Sequence, residues 1–122
     1  MIKGLGIDIC QVDRFNRHLT NQNFLKKIFS PGELAYCLNK ADSAASFAAR
    51  FAAKESLIKA LAISKLKLEL NVLEVAINDS GAPYWQINNE LKLWLHTLSI
   101  NKLHLSLSHE AGMAIAITIA EN

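Results

Sequence analysis

Strict alternation is the clearest pattern in the chain. Leu103, Leu105 and Leu107 alternate with His104, Ser106 and Ser108, and after His109-Glu110-Ala111-Gly112 the run from Met113 to Ala120 is nearly all apolar. This predicts a β-hairpin whose second strand is buried on both faces and central in a sheet. At the N-terminus Ile2, Leu5, Ile7 and Ile9 surround Gly4 and Gly6, which predicts a short strand with a close-approach or bulge glycine. Asp8, set between Ile7 and Ile9, faces the other way. Residues 72–78 place Leu73, Val75 and Ile77 on one strand face, Asp79-Ser80-Gly81-Ala82-Pro83 supplies a turn, and residues 84–87 return as a short strand.

Helical periods fill the gaps between these strands. Residues 44–62 contain neither Gly nor Pro and predict the longest helix, with Phe47, Phe51, Ile58, Leu61 and Ala62 in one apolar stripe that also takes in Lys54. Leu91, Leu95, Leu98 and Trp94 predict an amphipathic helix over residues 89–98. Shorter helices are predicted over 12–19 and 24–29. Ser30-Pro31-Gly32-Glu33 reads as a capping box that opens a helix to about Leu38. Residues 64–67 fit either loop or extended chain. The order β, helices, ββ, helix, ββ points to an α+β fold: one compact domain spanning residues 1–122, with a mainly antiparallel sheet and the long helix packed across it.

Composition narrows the class. A chain of 122 residues with 51% hydrophobic and 20% charged residues fits one soluble globular domain. No apolar run reaches the ~20 residues a membrane span needs, and the N-terminus lacks a signal-peptide layout, so a cytoplasmic setting is expected. Cys10 and Cys37 have neither metal-like spacing nor the density of a disulfide scaffold. A net charge of +2 without basic and aromatic interleaving gives no sign of nucleic-acid binding. Arg14, Arg17, His18, Lys26 and Lys27 do make the region after the first strand basic, which suits an acidic partner or simply a solvated helix face.

Three residues could carry chemistry together. Asp8 on the first strand and Glu55 on the long helix are two carboxylates that packing could join into a minimal Mg²⁺ site, with Lys59, and also Lys54, turned toward phosphate oxygens. The plainer reading is an i,i+4 surface pair of Glu55 with Lys59 worth ~0.3–0.5 kcal/mol. Ser108 and His109 point to opposite faces of a strand, so a nucleophile dyad is poor. Exposed serines, or Ser106, Ser108 and His109 lining a ligand site at the end of the sheet, remain.

Taken together, Gly6-Ile7-Asp8-Ile9, Arg50-Phe51-Ala52-Ala53-Lys54-Glu55 with Lys59, Gly81-Ala82-Pro83 and Ser106-Leu107-Ser108-His109 resemble the signature blocks of the holo-acyl-carrier-protein synthases. These are small single-domain 4′-phosphopantetheinyl transferases. The blocks keep the family's order and approximate spacing over nearly the whole chain. The resemblance implies transfer of the 4′-phosphopantetheine arm of coenzyme A to a serine of apo acyl carrier protein, releasing 3′,5′-ADP, for fatty acid biosynthesis.

It further implies that Asp8 and Glu55 bind Mg²⁺ and that Lys59 acts beside the scissile phosphate, with Glu55 or a metal-bound water as the base. Arg50, Lys54, Lys59, Ser106 and His109 would contact coenzyme A, and Arg14 and Arg17 would dock the acidic carrier protein. The assembly implied is a homotrimer with active sites at subunit interfaces. Two departures from the family pattern stand out: no glycine follows the long helix in Leu61-Ala62-Ile63-Ser64-Lys65, and Gln11 takes a usually acidic position. A non-catalytic binding module would keep the basic patch but would not need Asp8, Glu55 and Lys59 together. A Mg²⁺-dependent enzyme acting on another nucleotide diphosphate ester is the other alternative.

Overall fold

The computed structural model describes residues 1–63 and 68–122, so the expectations placed on residues 64–67 lie outside the described residues. Strands β1 (Ile2–Gln11), β4 (Lys102–Glu110) and β5 (Met113–Glu121) form an antiparallel sheet in the order β1-β5-β4. The register pairs Gly6 with Thr118, Asp8 with Ala116 and Leu107 with Ala116. Alternation then puts Gly4, Gly6, Asp8, Ala116, Thr118, Ala120 and Leu103, Leu105, Leu107 on one face. Leu5, Ile7, Ile9, Ile115, Ile117, Ile119 and His104, Ser106, Ser108 take the other. The hairpin turn is the two residues Ala111 and Gly112, both at positive φ (52° and 77°), the pairing that suits right-twisted strands.

Helix α4 (Ser43–Leu61) covers the first face. Asp42 caps it by accepting from the Ala45 N–H, and Ala62 ends it in the left-handed conformation. Small residues spaced by four, Ala52, Ser56 and Ala60, let the helix approach β1 where that strand has no side chains. A Cβ added to Gly4 would stand 1.8 Å from the Ala60 carbonyl oxygen, and one added to Gly6 1.8 Å from that of Ser56. These are the close-approach glycines that the N-terminal pattern predicts, and the register also shifts between Ile2 and Gly4. Within the contact Ser56 Oγ and Thr118 Oγ1 lie 2.7 Å apart, and Trp85 Nε1 donates to Thr118 Oγ1 at 3.2 Å.

The other side of α4 is covered by α1 (Asp13–Asn16), α2 (Gln22–Ile28) and α3 (Pro31–Leu38). Phe15 is the hub, its ring centroid 5.7 to 6.4 Å from those of Phe24, Phe29, Phe47 and Phe51. Helix α4 is therefore buried almost all round, and the single apolar stripe expected of it is corrected: the alanines meet the sheet while the phenylalanines meet the short helices. The capping box at Ser30 and Glu33 is present as expected. The helix expected over 12–19 shortens to Asp13–Asn16. A second sheet joins β2 (Glu74–Ile77) to β3 (Pro83–Gln86), and α5 (Asn89–Thr97) buries Leu91 and Leu95.

Strand β5 is central as predicted, but only one of its faces is buried. Ala114, Ala116, Thr118 and Ala120 pack beneath α4, while Ile115 is 39% exposed beside Leu5, Ile7 and Ile9 at 61%, 58% and 56%. The apolar run at the C-terminus thus belongs to two environments: a covered face of small residues and an open face of isoleucines.

Candidate active site

Where α4 meets β1, Lys59 donates to Asp8 Oδ1 at 3.2 Å and to the Ile7 carbonyl at 2.9 Å. The pair joins a half-buried carboxylate to an exposed ammonium. Glu55 lies one turn back along α4 and is 7% exposed. The structure thus brings Asp8 and Lys59 together across elements and holds Glu55 on the same rigid helix. Glu55 and Lys59 are consequently more than an isolated surface pair, since Lys59 bonds across to the strand.

Among the described residues no group of three His, Cys, Asp or Glu converges as a metal cage. The donors here are carboxylate oxygens, and Asp8 engages Lys59 through one of its two. Such a donor set fits a hard divalent cation that takes its remaining ligands from water and substrate phosphates, as Mg²⁺ does.

Lys54 sits elsewhere. Its side chain is fully buried, and its ammonium donates to Glu33 Oε1 at 2.5 Å, the Ile28 carbonyl at 2.7 Å and the Leu70 carbonyl at 2.8 Å. Burial pulls its pKa below 10.5, and the Glu33 carboxylate opposes that shift. All three N–H donors are used inside the protein, so the expected coenzyme contact of Lys54 is corrected to a structural ion pair. Glu33 Oε2 accepts from the Val75 N–H at 2.9 Å, and its Oε1 also accepts from the Ser30 N–H at 3.0 Å. One acid thereby caps α3, pairs with α4 and anchors β2.

Arg50 and His109 do come together, in a cleft of about 450 Å³ walled also by Tyr36, Lys40, Pro83 and Leu107. Arg50 is 3% exposed; its Nη1 donates to the Ser46 carbonyl and hydroxyl at 3.2 and 3.1 Å, and its buried Nε has no partner among the described residues. Asp8, Glu55 and Lys59 do not line this cleft. Ser106 does not either: it lies opposite Ile117 on the open face of the sheet, because alternation along β4 sends Leu107 and His109 to the cleft and Ser106 away from it. Ser106 and His109, expected together at one ligand site, are thus on opposite faces of the sheet within one chain.

Arg14 and Arg17 are exposed on and just after α1. The Arg14 guanidinium lies 4.6 Å from the Phe51 ring centroid, a cation–π contact that fixes it above α4. Burial pushes the Cys10 thiol up, the Arg14 cation opposes this and the Asp8 carboxylate adds to it, so Arg14 and Asp8 act on one locality. Gln11 is exposed at the end of β1. Tyr36 and Lys40, which sequence reasoning passed over, are visible afterwards as an i,i+4 aromatic–cation pair on and just beyond α3.

Comparison with known proteins gives this arrangement its relatives. Residues 4–118 match the family described as the 4′-phosphopantetheinyl transferase superfamily. The holo-[acyl-carrier-protein] synthase of Treponema denticola is 40% identical over 122 residues, covering 99% of each chain. The crystal structure of the Neisseria meningitidis holo-[acyl-carrier-protein] synthase superposes with a TM-score of 0.90 over 100% of both chains at 29% identity. That of Helicobacter pylori, in complex with coenzyme A, gives a TM-score of 0.82 at 30% identity over 96% of this chain and 99% of its own.

Proposed function

The chain belongs to the 4′-phosphopantetheinyl transferase superfamily, and from that premise we propose that it works as a holo-[acyl-carrier-protein] synthase. It transfers the 4′-phosphopantetheine of coenzyme A to a serine of apo acyl carrier protein, for fatty acid biosynthesis. The observation that carries the reading is the Lys59–Asp8 contact beside Glu55, two carboxylates and an ammonium on elements locked together at Gly4 and Gly6.

The serine oxygen attacks the phosphorus that carries pantetheine. The bond from that phosphorus to the bridging oxygen breaks, 3′,5′-ADP leaves, and the serine proton passes to a base. Lys59, already oriented by Ile7 and Asp8, places positive charge beside the transferring phosphoryl oxygens. Asp8 and Glu55 would hold Mg²⁺, which supplies charge neutralisation on the pyrophosphate when bound. Glu55 is the carboxylate we assign as the proton acceptor. Arg50 and His109 bind phosphate in their cleft, and Arg14 and Arg17 face the acidic carrier.

The cleft and the carboxylates are separate within one chain, and the open isoleucine face lies on the other side of β1 from Asp8. A homotrimer packed through that face, with one copy's Asp8, Glu55 and Lys59 beside the next copy's Arg50 and His109, accounts for both. Among the described residues no helix is long and apolar enough to cross a membrane.

Incubation with coenzyme A, Mg²⁺ and apo acyl carrier protein should add about 340 Da to the carrier by mass spectrometry, the mass of the arm on its serine. Glu55→Gln should abolish the gain while leaving the circular dichroism spectrum unchanged. No gain with the parent protein would defeat the function, and full turnover by Glu55→Gln would defeat its assignment.

A further inference from the structure

The Arg50 cleft contains more positive charge than its own walls neutralise. The Arg50 guanidinium lies 4.3 Å from the Tyr36 ring centroid and the Lys40 ammonium 4.5 Å from the same ring. Among the described residues neither cation has a carboxylate within 4.0 Å. Asp42, the acid among the lining residues, accepts from the Ala45 N–H as the cap of α4. Two like charges on one ring repel each other, and the negative faces of an aromatic ring are what offset that repulsion when no anion is present. The ring is half-buried on α3, Arg50 is held by Ser46, and Lys40 is exposed just past the end of α3, so the aromatic body is the shared contact of both cations.

We propose that Tyr36 is a positioning residue for coenzyme binding: its ring holds Arg50 and Lys40 convergent on the cleft, where together they receive a phosphate group of the coenzyme. Among the described residues the buried Nε of Arg50 also has no partner, so this guanidinium keeps an unused donor and is not neutralised within the chain. The inference rests on the reading that this cleft takes coenzyme A. It adds that the ring, and not the Tyr36 hydroxyl, sets affinity.

The test is steady-state kinetics on the full-length protein with coenzyme A and apo acyl carrier protein. Tyr36→Leu, which keeps apolar bulk without a π face, should raise KM for coenzyme A about five- to tenfold, leaving kcat and the carrier KM within twofold. Tyr36→Phe should keep the parent KM for coenzyme A. Lys40→Gln should raise that KM as well, and Tyr36→Leu should have a smaller effect in the Lys40→Gln background than alone.

An unchanged KM in Tyr36→Leu, or a loss in Tyr36→Phe as large as in Tyr36→Leu, overturns the proposal. Should Tyr36→Leu not fold, Lys40→Gln decides, since an exposed residue is replaced and an unchanged KM overturns the convergence. Arg50→Gln separates the two levels. If it leaves KM for coenzyme A unaltered, the assignment of the cleft to coenzyme fails. If it raises KM while the Tyr36 and Lys40 variants do not, only the role of the ring fails.

Discussion

Replacing Lys54 by methionine separates a structural role from a phosphate-binding one. The substitution keeps the length of the buried stem and removes the ammonium. Glu33 is then left as a buried carboxylate without its cation, and the carbonyls of Ile28 and Leu70 lose their shared donor. Breaking a buried pair from one side costs about 3–5 kcal/mol, and the carbonyl losses overlap with that figure rather than adding to it. Against a total of about 5–15 kcal/mol for a domain this is a large fraction. At about 4 °C per kcal/mol for this size, the melting temperature should fall by roughly 12–20 °C.

The assay is thermal and urea unfolding followed by tryptophan fluorescence, to which buried Trp85 contributes, at one fixed protein concentration so that self-association does not shift the midpoint. The pH profile supplies a second check. Burial lowers the Lys54 pKa below 10.5, so its cost is fully present below the folded-state value. As pH climbs from that value toward 10.5 the folded state gives up the proton first, and this group's contribution to stability rises. Lys54→Met should lack that alkaline rise. A loss below about 1 kcal/mol combined with a raised KM for coenzyme A would refute the reasoning and return Lys54 to the phosphate site.

Two further substitutions address the frame and the docking surface. Gly6→Ala drives a methyl against the Ser56 carbonyl and should cost about 1–3 kcal/mol in urea unfolding, with turnover falling as Asp8 is displaced from α4; a neutral result would mean that strand and helix are not in backbone contact. Arg14→Ala should raise KM for the carrier protein about five- to tenfold and steepen no other kinetic term, and equal effects on both substrates would count against docking.

The α+β architecture was legible because β1, β2 and β4 carried a period of two, β5 followed a turn as an apolar run, and the long helix had no breaker. Asp8 and Lys59 could be singled out by residue type, although only packing at Gly4 and Gly6 made them neighbours. Lys54 misled because its place in an apolar stripe is compatible with either a ligand or an internal acid, and Glu33 is 21 residues away along the chain. Its capping-box position gave Glu33 a sufficient local explanation, which hid the second role. Ser106 shares a motif with His109, yet alternation sends the two to opposite faces of the sheet. The faces of β5 were misjudged for a related reason: in sequence an isoleucine reads as buried whether or not another element of the chain covers it.

The backbone contact of α4 with β1 bears on which parts of the chain can drift over generations. Core residues such as Phe29, Leu57 or Leu73 can exchange volume with their neighbours, because side chains readjust. No rotamer change can make room for a Cβ that would sit 1.8 Å from a peptide oxygen. The strand and helix that carry Asp8, Glu55 and Lys59 are therefore less tolerant of change at Gly4 and Gly6 than at their side-chain contacts.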